Sequence, residues 1–254
     1  MKRSKLAIWS IPILVTMAFA GCSNTVTTPT NNTQVSYTKG DSYGYHAFVL
    51  NATSGQPSGT TDTITSTIAA TDGTFDSMVN VTTILNSHTH PASGTSLDTT
   101  YISQNNGNFY HYNYGLEALN NDAAVLAIAN SGKSIEVGWV LQAKLSANSG
   151  DKWIGVNDTL SLNSPTLGGA VTAYLTDNVT EEGDTTISVN NSPVVTKHSV
   201  HNISLSIPGS FSAEETVDTY VSVADGTVLN IDHPTSLVGS AAPGLETIFI
   251  GKVD

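Results

Sequence analysis

The chain alternates apolar and polar positions with a period of two over much of its length. Residues 64–68, 79–85, 171–175, 203–207, 217–223 and 245–250 form runs rich in Val, Ile, Thr and Tyr, the composition of half-buried pleated strands. The clearest run sets Ile135, Val137, Trp139, Leu141, Ala143 and Leu145 on one face and Glu136, Gln142 and Lys144 on the other. One face of that strand is therefore expected to be wet. Asp72-Gly73, Asn106-Gly107, Ser149-Gly150-Asp151, Asn190-Asn191-Ser192-Pro193 and Asp225-Gly226 punctuate the runs, and such residues supply the backbone conformations of tight turns. The pattern predicts an all-β, mainly antiparallel fold. Residues 116–129, rich in Ala and Leu, are the one candidate helix, with a strand pair about Asn120-Asn121-Asp122 as the alternative. No long repeat is present.

The first residues follow a different logic. Lys2, Arg3 and Lys5 precede an apolar run over 6–19 and the small residues Ala20-Gly21 before Cys22, the order of a secretory signal. The run is too short to span a bilayer comfortably, which takes about 20 residues. Phe19-Ala20-Gly21-Cys22 resembles the lipobox of bacterial lipoproteins, with Phe19 where that family most often has Leu. The resemblance implies a signal peptide over 1–21 and a lipid on Cys22, which is the only cysteine. Several acyl chains at about 0.8 kcal/mol per buried CH₂ anchor firmly where one is marginal. An ordinary signal cleaved after Ala20 is the alternative. Ser23, where the inner-membrane retention signal has Asp, favours the outer membrane. Residues 22–34 are almost wholly Ser, Thr, Asn and Pro after the cysteine and carry too little apolar surface to order. They read as a tether to a single β-rich domain over 35–254.

Charge narrows the partners. The chain has 9 Lys and Arg against 21 Asp and Glu, a net charge of −12. Loss of the leader would remove Lys2, Arg3 and Lys5, including the only arginine. Nucleic acids and anionic lipid surfaces need clustered cations, whereas the remaining lysines are scattered. A nucleic-acid partner is not expected.

Several landmarks extend the reading. The opening Tyr37-Thr38-Lys39-Gly40-Asp41-Ser42-Tyr43-Gly44-Tyr45 is similar to that of the DUF3108-like or TapB-like envelope lipoproteins. So is the mid-chain strand Asn106-Gly107-Asn108-Phe109-Tyr110-His111-Tyr112. Trp139 and Trp153, the turn Ile207-Pro208-Gly209-Ser210-Phe211 and the close Ala242-Pro243-Gly244-Leu245-Glu246 complete the resemblance, with Glu246 where that group has Gly. It implies a strongly curved antiparallel sheet or half-barrel, like the lipoprotein carriers, whose concave face shelters apolar ligands. A β-sandwich is the alternative fold. No catalytic residues follow from it.

Candidate chemistry is sparse. Gly40-Asp41-Ser42-Tyr43-Gly44 fits G-x-S-x-G, but the nucleophile elbow needs a helix after the serine, and Tyr45 to Leu50 is strand-like. A structural turn is the better reading. His88 and His90, two apart on a strand, share a face and would both reach one metal ion, yet no carboxylate follows before Ser96. His198 and His201, three apart, point to opposite faces. The acids Glu181-Glu182-Gly183-Asp184 and Glu214-Glu215 lack calcium-loop spacing and read as solvated turns. Tyr110, Tyr112 and Tyr114 alternate, so an aromatic stripe is expected, and with Trp139 it is the candidate ligand groove. No cofactor is indicated. The expected protein is a non-enzymatic envelope lipoprotein, membrane-bound through its N-terminal lipid, that holds an apolar or lipid-like molecule or docks an envelope partner. A carbohydrate-binding or adhesin-like surface module is the alternative.

Overall fold

The computed structural model describes residues 34–114, 137–164, 167–237 and 240–253. The chain divides into two units, and all that is described belongs to the second, Asn32–Asp254. The expected signal segment over 1–21, Cys22 and residues 116–129 lie outside the described residues.

The period-2 runs are realised as strands, and no helix occurs among the described residues. The strands are β1 (Ser42–Leu50), β2 (Pro57–Phe75), β3 (Met78–His90), β4 (Gly94–Asn105), β5 (Asn108–Tyr112), β6 (Trp139–Lys144) and β7 (Lys152–Ser164). They continue with β8 (Gly169–Val189), β9 (Ser192–Ile207), β10 (Phe211–Ser222), β11 (Gly226–Asp232), β12 (Thr235–Leu237), β13 (Ser240–Ala242) and β14 (Gly244–Val253). Twelve join one sheet in the order β6-β5-β4-β3-β2-β1-β14-β11-β10-β9-β8-β7, and β12 and β13 pair separately. Every pairing is antiparallel. Asn106-Gly107 and Asn190-Asn191 take positive φ throughout, the geometry that lets a two-residue hairpin follow the strand twist. Asp72-Gly73 instead sits in an irregular stretch of β2, and Asp76 and Ser77 make the turn into β3.

Right-handed twist curls a sheet of this width on itself, and the strongly curved sheet comes close to a barrel with one unsealed seam between β6 and β7. An open strand edge leaves backbone groups without partners. Here side chains serve them: Trp153 Nε1 donates to the Leu141 carbonyl at 3.1 Å, and His201 Nε2 to that of Gln142 at 2.9 Å. Lys197 donates to the Ala147 carbonyl at 2.8 Å while pairing with Asp184 at 2.6 Å. His201 Nδ1 lies 2.7 Å from the Asp177 carboxylate. Since Nε2 must donate to a carbonyl, a further proton sits between Nδ1 and that carboxylate. The bulge at Gly155 admits this buried group, because a Cβ there would run into Asp177.

Two ends of the interior differ. At the β4–β5 end the chain enters through Val35, which is buried with Ile102, Phe109, Ala143, Leu145 and Val221. Gln104 holds it by accepting from Val35 N at 2.6 Å and donating to Val35 O at 2.9 Å. Tyr37 follows, its hydroxyl lying where a Cβ on Gly226 would stand. On the β8–β10 side Leu175, Leu205, Ile203 and Val217 fill the interior against Val140 and Tyr114. Fully burying each large aliphatic side chain contributes about 1.5–3 kcal/mol.

Three expectations are corrected. The ladder between β5 and β6 shifts at Phe109/Tyr110, so Phe109 faces Ala143 and Tyr110 faces Leu141, leaving Gln142 as the extra residue. The bulge turns Val140 and Gln142 inward, 1 % and 0 % exposed, where alternation placed Gln142 in water. Glu181 and Glu215 are buried in the middle of β8 and β10 and are not solvated turns, because both take inward-facing positions of a curled sheet. The tyrosine stripe divides: Asn113 has φ 58° and ends the alternation, so Tyr114 is buried in the interior while Tyr110 and Tyr112 face away from it.

Candidate functional site

The inward-facing residues of β1 to β5 leave a cavity of about 310 Å³. Phe109 and His111 of β5, Ile64 and Ile68 of β2, Ile84 of β3, Ile102 of β4 and Leu245 of β14 line it, each two residues from the next inward position on its strand. Its size falls at the lower end of small-molecule pockets, about 300–1,000 Å³.

One wall carries a polar strip. Ser66 donates to Asn86 Oδ1 at 2.7 Å, and Asn86 Nδ2 donates to Asp98 at 2.6 Å and Thr100 at 2.8 Å. His88 Nε2 stands 2.6 Å from the second Asp98 oxygen. That hydrogen bond raises the His88 pKa against its burial and lowers that of Asp98. His88 and Asp98 also line a second, polar recess of about 490 Å³ with Asp62, His90 and Ser96. They stand between the two spaces, at the end of β4 opposite Val35, and form the mouth of the inner cavity.

Deeper in, charge disappears. Burial lowers the His111 pKa to about 4, so its imidazole is neutral at pH 7 with one donor and one acceptor. It makes no hydrogen bond among the described residues. Gln142 is fully buried, and neither its Nε2 nor its Oε1 has a hydrogen-bond partner among them. Burial also raises the pKa of Tyr37 and Tyr45, keeping both phenols neutral. Tyr114 crosses the interior with its hydroxyl bonded to Thr219 and, at 2.6 Å, to Asn230, its ring between His111 at 5.4 Å and His201 at 5.1 Å. Among the described residues no lysine or arginine lines the cavity.

The residues singled out from sequence are divided among several places. Tyr112 and Trp139 meet on the face away from the cavity, in a cluster with Phe75 and Tyr101, whose rings stack at 3.7 Å. Tyr110 points to the same side, its hydroxyl 3.5 Å from Asn108. Of the four aromatics only Tyr114 reaches the cavity. His88 and His90 share a face and meet different acids, Asp98 and Asp62, and His90 Nδ1 accepts from Ala92 N and Ser93 N at 3.1 Å. Among the described residues no three His, Cys, Asp or Glu side chains converge as a metal-ligand set. Ser42 shares a 2.9 Å hydrogen bond with Thr67 and opens a strand. His198 lies on the outer face, stacked on Tyr220 and bonded at 2.7 Å to Asp218, which also meets His233.

Sequence reasoning passed over Phe109, His111 and Gln142. The first two were legible as the other face of the strand bearing Tyr110 and Tyr112; Gln142 was not, since nothing local marks the bulge.

No family model matches the chain, and no curated protein matches it. Among solved structures it is similar to a protein of Parabacteroides distasonis assigned as a lipoprotein, with 10 % identity, a TM-score of 0.53 and coverage of 85 % of this chain and 96 % of that one. It is also similar to an exported protein of Bacteroides fragilis with a YmcC-like fold, at 10 % identity, a TM-score of 0.50 and coverage of 87 % and 99 %. At such identity the likeness concerns the fold alone.

Proposed function

We propose that this chain is a non-enzymatic envelope lipoprotein, anchored through Cys22, that holds an apolar small molecule inside its curled sheet. The single observation behind the reading is the cavity of about 310 Å³ with its apolar wall and polar mouth. A packed interior has few voids larger than a water molecule, and a space of this size supports a binding role. The lipobox resemblance, the likeness to DUF3108-like proteins and the structural neighbours support the envelope setting, with the outer membrane favoured by Ser23. Native mass spectrometry of the protein extracted from its own membrane tests the reading. A stoichiometric small-molecule adduct is expected, and an unliganded mass that stays unchanged when apolar compounds are added would refute it.

A second reading rests on the cluster of Phe75, Tyr101, Tyr112 and Trp139. Aromatic faces stack on sugar rings, and a carbohydrate-binding surface module would present them so. Glycan-array binding abolished by Tyr112→Ala would favour this over the carrier.

A further inference from the structure

The depth of the cavity specifies more than an apolar ligand. Gln142 is fully buried and lines the cavity, and both ends of its amide lack partners among the described residues. A buried amide without hydrogen bonds is unfavourable, and a bulge is what aims it inward. His111 lines the same region and pairs with Ile102. From Asp98 at the mouth to the level of Ile102 is four residues of β4, about 13 Å of strand. His111 therefore stands well inside the mouth, past the polar strip on one wall, and Gln142 lines the same cavity.

We propose that the cavity takes a neutral amphiphile of one short acyl chain, seated with an uncharged hydrogen-bonding head, an amide or hydroxyl, against Gln142 and His111. This rests on the carrier reading and deepens it. Three observations select the head. Gln142 offers a donor and an acceptor together, which a primary amide matches on both sides. An ionised carboxylate or phosphate in a buried site needs a cation, and among the described residues no lysine or arginine lines the cavity. The mouth carries Asp98, which repels an entering anion. The volume bounds the chain. An apolar cavity of about 150 Å³ accommodates benzene, so 310 Å³ takes on the order of twelve non-hydrogen atoms.

Decanamide and decanoate form the test pair, equal in length and non-hydrogen atoms and different in charge at pH 7.5. Each is titrated calorimetrically into the full chain held in phospholipid nanodiscs, with empty discs as the blank. Decanamide is expected to bind at least tenfold more tightly than decanoate. Gln142→Met should weaken decanamide at least tenfold and bring the two ligands within threefold of each other. His111→Phe, measured alongside, should lower the preference for the amide even if Gln142→Met does not fold. Equal binding of both ligands, or an amide preference that neither folded variant reduces, would overturn the assignment of the head while leaving the carrier reading intact. Saturable binding of neither ligand would count against the carrier reading itself.

Discussion

Gln142→Met should make the protein more stable. The side chain is 0 % exposed, with Nε2 and Oε1 both lacking partners among the described residues, so folding strips two polar atoms of water without return. Each such loss costs about 1–3 kcal/mol when complete. Because Gln142 borders a cavity that admits water, the two together are discounted to a net penalty of about 1–3 kcal/mol. Methionine keeps the length and adapts to irregular gaps, so that penalty should be recovered with little strain. For a domain of this size about 2–4 °C follows each kcal/mol, and scanning calorimetry of the full chain in nanodiscs should show the midpoint rising by roughly 2–12 °C. The gain and the loss of decanamide affinity belong together, since binding groups held without partners are a common cost of function. A midpoint lowered by several degrees, with the fold retained, would mean that the amide is satisfied in the free protein.

Other substitutions probe the same frame. His111 falls from its ordinary 6.5 to about 4 through burial, so the unfolded chain takes up its proton first as pH drops. Its contribution is complete above about pH 6.5 and is lost as pH falls toward 4, amounting to roughly 3 kcal/mol; His111→Phe should flatten that part of the stability profile, and identical acid profiles would refute the burial. Ile84→Trp should fill the cavity and abolish the small-molecule adduct with the circular dichroism spectrum unchanged; an adduct retained would place the ligand elsewhere. Gln104→Ala removes both hydrogen bonds to Val35 at about 0.5–1.5 kcal/mol each, and faster amide exchange at Val35 is the readout. Cys22→Ser should eliminate lipid modification by mass spectrometry, and a lipid that persists would exclude Cys22 as its site.

How far each feature was legible depends on the range of the interactions behind it. The strands and the turns at Asn106-Gly107 and Asn190-Asn191 rest on preferences of adjacent residues, and they stand where the pattern placed them. The faces of β6 could not be read so. A single extra residue at Gln142 reverses the alternation, and whether a ladder accommodates one depends on its partner strand, distant in sequence. Glu181 and Glu215 misled for a related reason, because acidic pairs usually mark solvated surface, whereas here they are carried inside a curled sheet. His111 lay hidden beside more conspicuous tyrosines on the opposite face of its own strand.

By itself the sequence determined an acidic, antiparallel β chain with a lipobox-like leader, because side-chain alternation and turn conformation are set within a few residues. Only the tertiary structure decided that the sheet curls nearly shut, that its seam is served by Trp153, His201 and Lys197, and that Gln142 and His111 line one cavity. Those outcomes depend on register between strands far apart in the chain, where a shift of one residue exchanges inside for outside.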